Sequence, residues 1–446
     1  MMSIKIIKAA AIFIDSCLVE NKAIAVNMHT GDIEKIAAAA QLEKEYPDAG
    51  KEDWGDLVIV PGSINAHNHS FQSLLRGVAA DRPFLEWRDN SLYKFSPRMR
   101  LQDIYTGALF AFTEMMKCGA TTVADFFYLH QFGSESDEAV IQAANDAGIR
   151  LVIARTMYDW TGAPSGYVEN VETAVSNTAS LMKKHTGGMV KVLPAPHSLH
   201  AASPEMIKAG YRLACEYNTP YHIHVAEEIF EVDQVKKEHG MTPLKYLDSL
   251  GVVDKHMSII HGVWLSEDEI RTMGRKGAHL IYCPSSNMFL ADGITDIPAY
   301  IRHSVPIALG SDGACGNSRI SVFEEMRMVS LLQKAKTCNA LCVNFHDAFK
   351  MGTETGGTVL DLPIGKIADG YKADFVGISV YDFSMQPLTK KGQQFLPNLI
   401  YSMQPTAIKR VAVNGRTTVI QGHLVNTTES RVLEQVKMTM QHLENE

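Results

Sequence analysis

LVIVPGSINAHNH, residues 57–69, joins a continuous apolar run to a polar end that carries two histidines. A run without apolar–polar alternation predicts a strand buried on both faces, as in a parallel sheet. Seven later stretches repeat the texture: TTVADFFYLH (121–130), RLVIARTMYD (150–159), VKVLPAPHS (190–198), PYHIHVAEE (220–228), MSIIHGVWL (257–265), AHLIYCPSSN (278–287) and VPIALGSDG (305–313). Segments with helical spacing lie between them. LQDIYTGALFAFTEMMKCG (101–119) ends in a Gly stop, and SPEMIKAGYRLACEYN (203–218) opens with a Ser–Pro start. Eight strand–helix units predict an α/β fold, a (β/α)8 TIM barrel over residues 61–360.

Outside that span the texture is strand-like at both ends. IKIIKAAAIFI, KAIAVNM and DLVIVPG precede it, and LPIGKIADGYKADFVGISV and AIKRVAVNGRTTVIQGHLV follow it. Residues 1–60 and 361–446 are therefore expected to build one small split β-sandwich domain from both termini. The polar stretch 37–51 reads as a surface excursion, and SRVLEQVKMTMQHLENE as a closing amphipathic helix.

Of the 446 residues, 46% are apolar, enough for a sizeable core. A net charge of -8 argues against nucleic acid as a partner, which requires a basic face. The seven cysteines include no CxxC pair, so neither a disulfide framework nor a cysteine zinc site is expected; reduced thiols fit a cytoplasmic protein. The first residues read as a strand rather than a signal peptide, and no apolar run approaches the ~20 residues of a membrane helix.

Ionisable residues collect at the ends of the runs. His67 and His69, spaced i and i+2, point to one side at the end of the first. His197 ends the fourth, His222 and His224 the fifth with Glu227 three residues on, His261 the sixth and Asp312 the eighth. In such barrels the strand C-termini face the active site. Imidazole and carboxylate ligands suit Zn2+ or Fe2+ with a position left open for water. Such an ion lowers the pKa of its water to about 7, and a nearby carboxylate shuttles protons. Nothing resembles a phosphate loop or a serine elbow.

PGSINAHNHSFQSLLRG, PAPHSLHAASPE, HIHVAEE, IIHGVWL, IYCPSSN, LGSDGACGN, FEEMR, GKIADGYKADFVGI and VAVNG follow one another in this order. Over nearly the whole chain this pattern resembles the amidohydrolase superfamily. Within it the pattern resembles the branch of one-metal deaminases that includes guanine, S-adenosylhomocysteine and triazine deaminases and formiminoglutamate deiminase. The resemblance implies one divalent ion, Zn2+ or Fe2+, on His67, His69, His224 and Asp312. It implies that Asp312 also takes a proton from the water, that Glu227 gives one to the substrate nitrogen, that His261 polarises the attacked centre and that His197 contacts the substrate. His222 reads as structural. Two-metal members carry a carboxylated lysine at the end of the fourth strand; here that end is Pro196-His197, and Lys191 lies near its start. A homo-oligomer is implied by resemblance alone.

The expected activity is hydrolysis of a non-peptide carbon–nitrogen bond, with ammonia released from a small amidine-like or aminoheterocyclic molecule. A competing expectation is a formimino-amino-acid deiminase, in which Gln72, Arg88 and Tyr128 would bind a small carboxylated substrate and Arg88 could pair a carboxylate bidentately. Where that family carries a second arginine, this chain has His200. The pattern also admits a chlorohydrolase, a cyclic amide hydrolase or a non-catalytic binding homologue. The missing lysine ligand on the fourth strand argues against the cyclic amide hydrolase. A binding homologue would be expected to lose ligands or Glu227, and all five residues are present.

Overall fold

A computed structural model describes residues 3–389 and 392–445. All eight apolar runs contain strands: β1 Ser63–Asn68, β2 Ala120–Phe127, β3 Arg150–Met157, β4 Val190–Pro196, β5 Tyr221–Val225, β6 Met257–His261, β7 His279–Tyr282 and β8 Ile307–Leu309. They form two four-stranded parallel sheets, β1-β2-β3-β4 and β5-β6-β7-β8. Helices intervene, among them Leu101–Lys117 after β1 and Pro204–Glu216 after β4. Ser203 caps the latter by accepting from the Met206 amide.

The two sheets meet at both edges. Ser198, just past β4, bridges in parallel to His224 of β5. On the other side the Asp312 amide, past β8, donates to the His67 carbonyl at 3.0 Å. Nearly every residue of the eight strands is buried, as runs apolar on both faces require. One polar exception is structural. Arg155, inside β3, is fully buried and paired with Asp137 at 2.9 Å and Glu169 at 2.8 Å.

The first run is two strands, not one. Leu57–Pro61 belongs to a seven-stranded sheet, between Phe375–Ser379 and Ala11–Ile14. The chain changes sheets at Gly62, where a Cβ would stand 2.1 Å from Thr121 Oγ1. Only a bare Cα passes there. The histidine pair therefore sits at the end of its own short strand, β1.

The seven-stranded sheet draws its strands from both ends of the chain, and a four-stranded sheet comes from residues 4–53. Ile7 and Ile24 of the smaller sheet share a core with Ile12, Ile59 and Phe375 of the larger. The stretch 37–51 is no loose excursion. Ala39–Glu45 is a helix that buries Leu42, and Gly50–Asp53 pairs in parallel with Ile4–Lys8. The closing helix, Glu429–Asn445, lies against Leu101–Lys117, tied by Lys117–Glu429 at 2.7 Å and Thr439–Asp103 at 3.0 Å. Among the described residues no helix is long and apolar enough to cross a membrane. All seven cysteines are free thiols.

Candidate active site

His69 follows β1 and opens a short turn of helix, Ser70–Leu75. Strand β2 grips it from two consecutive residues. The Phe126 carbonyl accepts from His69 Nδ1 at 2.6 Å, and the Asp125 carboxylate accepts from the Ser70 amide and hydroxyl at 2.6 and 2.7 Å. His224 is held in the same way, its Nδ1 donating to the His197 carbonyl at 2.9 Å. Bonds of this kind fix the tautomer and leave the Nε2 lone pair free.

Those lone pairs converge. His224 Nε2 lies 3.3 Å from His67 Nε2, and Asp312 Oδ1 lies 3.4 Å from both His67 Nε2 and His69 Nε2. The ligand atoms fall into two sets, each lying within 4.8 Å: His67, His69 and Asp312 in one, His67, His224 and His261 in the other. His69 and His224 present bare ring nitrogens and Asp312 a carboxylate, a donor set that suits a divalent metal. Burial lowers the His69 pKa to about 4, helped by His67, and lowers His224 well below its ordinary value, so these rings stay neutral as ligands.

Asp312 is buried, which by itself disfavours its charge. The hydrogen bond from His67 and the surrounding imidazoles outweigh that and hold the carboxyl well below the usual carboxylate range. Gly313 N donates to its Oδ1 at 2.7 Å and Ser286 Oγ to its Oδ2 at 2.6 Å. Asp312 and His261 both have left-handed backbones, with φ of 60° and 71°. That conformation costs a non-glycine residue on the order of 1–3 kcal/mol and turns each side chain inward at its strand end.

Glu227 behaves in the opposite way. Burial pushes its pKa well above the ordinary value, and the negative charges of Asp292, Asp312 and Glu228 add to it. Its Oε1 lies 3.3 Å from His261 Nε2. One buried carboxyl that keeps its proton thus faces another that sheds it, the arrangement acid–base chemistry needs.

These groups close the floor of a cavity of about 70 Å3. Its walls are aromatic: Phe84, Trp87, Tyr93, Tyr128, Tyr158 and Tyr167. Gln72, Arg88, Tyr128 and His197 all line it. Gln72 Nε2 donates to Tyr128 OH at 2.9 Å. Arg88 lies over the Tyr93 ring at 4.5 Å and donates to Asp89 at 2.8 Å. The His197 ring stands 4.9 Å from both Tyr158 and His224. His222 is buried, and neither ring nitrogen has a hydrogen-bond partner among the described residues. Lys191 is remote; its Nζ bonds the Leu360 and Asp361 carbonyls.

Sequence reasoning missed Ser286 as the support of Asp312, Asp125 as the clamp behind His69, and the tyrosines at 158 and 167. The stretch CPSSN signalled the first; single polar or aromatic residues in strands and loops gave no signal for the others. A second group with ligand chemistry, Cys215, Asp254 and His256, is more exposed. Its carboxylate and imidazole are already bonded to Tyr211 and the Thr219 carbonyl. A larger cavity, about 560 Å3, lies beside Lys117 and Leu433, away from every ligand group above.

The chain is 32% identical over 382 residues to the 5-methylthioadenosine/S-adenosylhomocysteine deaminase of Pyrococcus furiosus, covering 86% of this chain and 88% of that one. It is 32% identical over 393 residues to the 5'-deoxyadenosine deaminase of Methanopyrus kandleri, with the same coverage of each. In fold it matches the crystal structure of an adenosine deaminase from Xanthomonas campestris with bound zinc, with a TM-score of 0.90 over 99% of both chains at 23% identity. The amidohydrolase family pattern fits residues 58–418. The chain belongs to the amidohydrolase family, among that family's hydrolytic deaminases.

Proposed function

We propose that this enzyme removes the exocyclic amine of an adenosine-like compound and releases ammonia. The observation that carries this reading is the pairing, on one cavity floor, of His69, His224 and Asp312 with a proton-holding Glu227, with His67 Nε2 within 3.4 Å of both His224 and Asp312. The aromatic walls suit a flat ring, and the relatives at about 32% identity are named for adenine nucleosides and related thioethers.

In this reading His67, His69, His224 and Asp312 hold one divalent ion, with zinc favoured by the ligand set and by the zinc in the Xanthomonas structure. That ion supplies Lewis acidity and eases deprotonation of water at neutral pH. Asp312, ionised and facing the floor, takes the proton of the attacking water. His261 presents Nε2 to the attacked carbon's substituents and to Glu227. Glu227 delivers its proton to the leaving nitrogen, so that the carbon–nitrogen bond breaks with neutral ammonia as the product. His197, Gln72, Tyr128 and Arg88 bind the substrate; Arg88, the one cation on the wall, faces its polar end.

The parallel sheets, abutting at β4–β5 and β8–β1, are read as one closed (β/α)8 barrel over residues 61–360. Residues 1–60 and 361–446 are read as one split β-sandwich, supported by the core its two sheets share. Free thiols agree with a cytoplasmic site of action, and a homo-oligomer is proposed from family resemblance.

The test is ammonia release by zinc-loaded enzyme from 5'-deoxyadenosine, methylthioadenosine, S-adenosylhomocysteine, guanine and formimino-amino acids side by side. Turnover of an adenine nucleoside supports the reading. Turnover of a formimino acid alone, lost on Arg88→Met, would replace it with a deiminase.

A further inference from the structure

Behind His261 lies a chain of buried polar groups with no assigned task. Asn287 Nδ2 stands 3.0 Å from His261 Nδ1 and 2.8 Å from Asp292 Oδ2. Asn287 is fully buried and Asp292 is 1% exposed. The same loop holds the histidine by its backbone: Thr295 Oγ1 donates to the His261 carbonyl at 3.1 Å. The Asp292 amide donates to the Asn287 carbonyl at 2.9 Å, closing the loop on itself.

The orientation of the Asn287 amide follows from counting donors. With Nδ2 between the two partners, its two hydrogens are used, one on each, and a single acceptor, Oδ1, stays unpaired. Turned over, the amide would bury both hydrogens where the structure offers no partner, and leaving donors unmet is the costlier arrangement. Asp292 keeps Oδ2 as an acceptor in either charge state. Burial and the neighbouring Glu228 carboxyl push its pKa up to about 9.

We propose that Asp292 and Asn287 are positioning residues that lock His261 in one neutral tautomer, with Nδ1 bare and the hydrogen on Nε2. Asp292 orients the amide, the amide hydrogen occupies the Nδ1 lone pair, and the ring's one proton must then sit on Nε2. That nitrogen is the one 3.3 Å from Glu227. His261 is thereby a hydrogen-bond donor to the reacting centre and to Glu227, never an acceptor competing for the Glu227 proton. This rests on the reading of His261 as facing the substrate. Neither Asn287 nor Asp292 lines the cavity.

The test is histidine side-chain nitrogen NMR of the zinc-loaded enzyme without substrate, the His261 signals being assigned by their loss in His261→Asn. The expected wild-type pattern is a bare Nδ1 and a protonated Nε2; a protonated Nδ1 overturns the proposal outright. In Asp292→Leu the amide loses its orienting acceptor. The His261 protons should redistribute, with kcat falling about 10–100-fold at unchanged zinc content and KM moving less than about threefold. An Asp292→Leu enzyme with the wild-type tautomer and wild-type kcat also overturns it. If that variant fails to fold, the wild-type spectrum alone decides. Because the spectrum needs no substrate, its result is separate from whether adenine nucleosides are turned over.

Discussion

Gly310 packs its bare Cα against His67, so close that a methyl group there would stand 2.7 Å from the histidine Cβ and 2.9 Å from its backbone nitrogen. His67, the ligand proposed on β1, is thus seated by the absence of a side chain at the end of β8. Gly310→Ala should push His67 off its position and weaken zinc binding about 10–100-fold, the scale seen when a ligand's support is removed. Competition with a chromophoric chelator reads this directly. Wild-type zinc affinity in Gly310→Ala would show that His67 tolerates the shift.

Glu227→Gln keeps the shape of the side chain and removes its proton. The expected loss in kcat is about 100- to 10,000-fold, the range for a general acid, with zinc content and the thermal midpoint close to wild type. Retained turnover would assign the proton delivery elsewhere.

Chelation should destabilise the fold as well as stop turnover. The His67, His69 and His224 rings are buried with their lone pairs facing one another and Asp312. Added zinc at about 100 times its Kd should contribute roughly 2.7 kcal/mol. Calorimetry of the chelated and reloaded protein measures this, and equal midpoints would sink the four-donor site.

Glu325 should make stability fall with rising pH. Burial pushes its carboxyl up to about 8 from an ordinary 4.5, against hydrogen bonds received from the Ser285 amide and the Asn317 side chain. Between those values the folded protein holds a proton that the unfolded chain has released. More protons bound in the folded state means that stability declines as pH climbs through the window and levels off above 8. The drop is on the order of a few kcal/mol. Urea unfolding across the window should show a shallower slope in Glu325→Gln; an unchanged slope would place the titrating group elsewhere.

Arg155→Ala should be far more harmful than most single changes. Removing the guanidinium strands Asp137 and Glu169 as buried, unpaired carboxyls. A loss of about 3–5 kcal/mol is expected from equilibrium unfolding. A loss below about 1 kcal/mol would mean that water reaches the pair.

The proposed ligand set could be picked out because strand ends are legible. His67, His69, His224 and Asp312 each close an apolar run, and parallel strands bring such ends together whatever the loops do. The change of sheet at Gly62 was legible in part: the division at residue 61 falls beside it, yet LVIVPGSINAHNH reads as a single run although Pro61-Gly62 interrupts it. The Arg155 network was hidden for another reason. RLVIARTMYD reads as one apolar strand, and its partners Asp137 and Glu169 lie in separate segments whose approach only the fold sets. The helix Phe395–Tyr401 follows no capping signal; it is fixed by Phe395 and Leu399 in the core. Asn287 and Asp292 stand in a loop whose reach to His261 no local pattern encodes.

The sheet shared by both termini also sets an order of events during synthesis. Pro61 lies opposite Phe375, and Leu57 opposite Ser379, so Leu57–Pro61, already paired with Ala11–Ile14, finds this second neighbour only after every parallel strand has left the ribosome. Until then the amino-terminal strands keep an open edge, the kind of surface that recruits other chains. The eight parallel strands, paired with their sequence neighbours within each four-stranded sheet, assemble during that wait. The last strands to emerge seal that edge, so a chain truncated before residue 375 would leave a complete set of catalytic strands beside an unsealed, self-associating sheet.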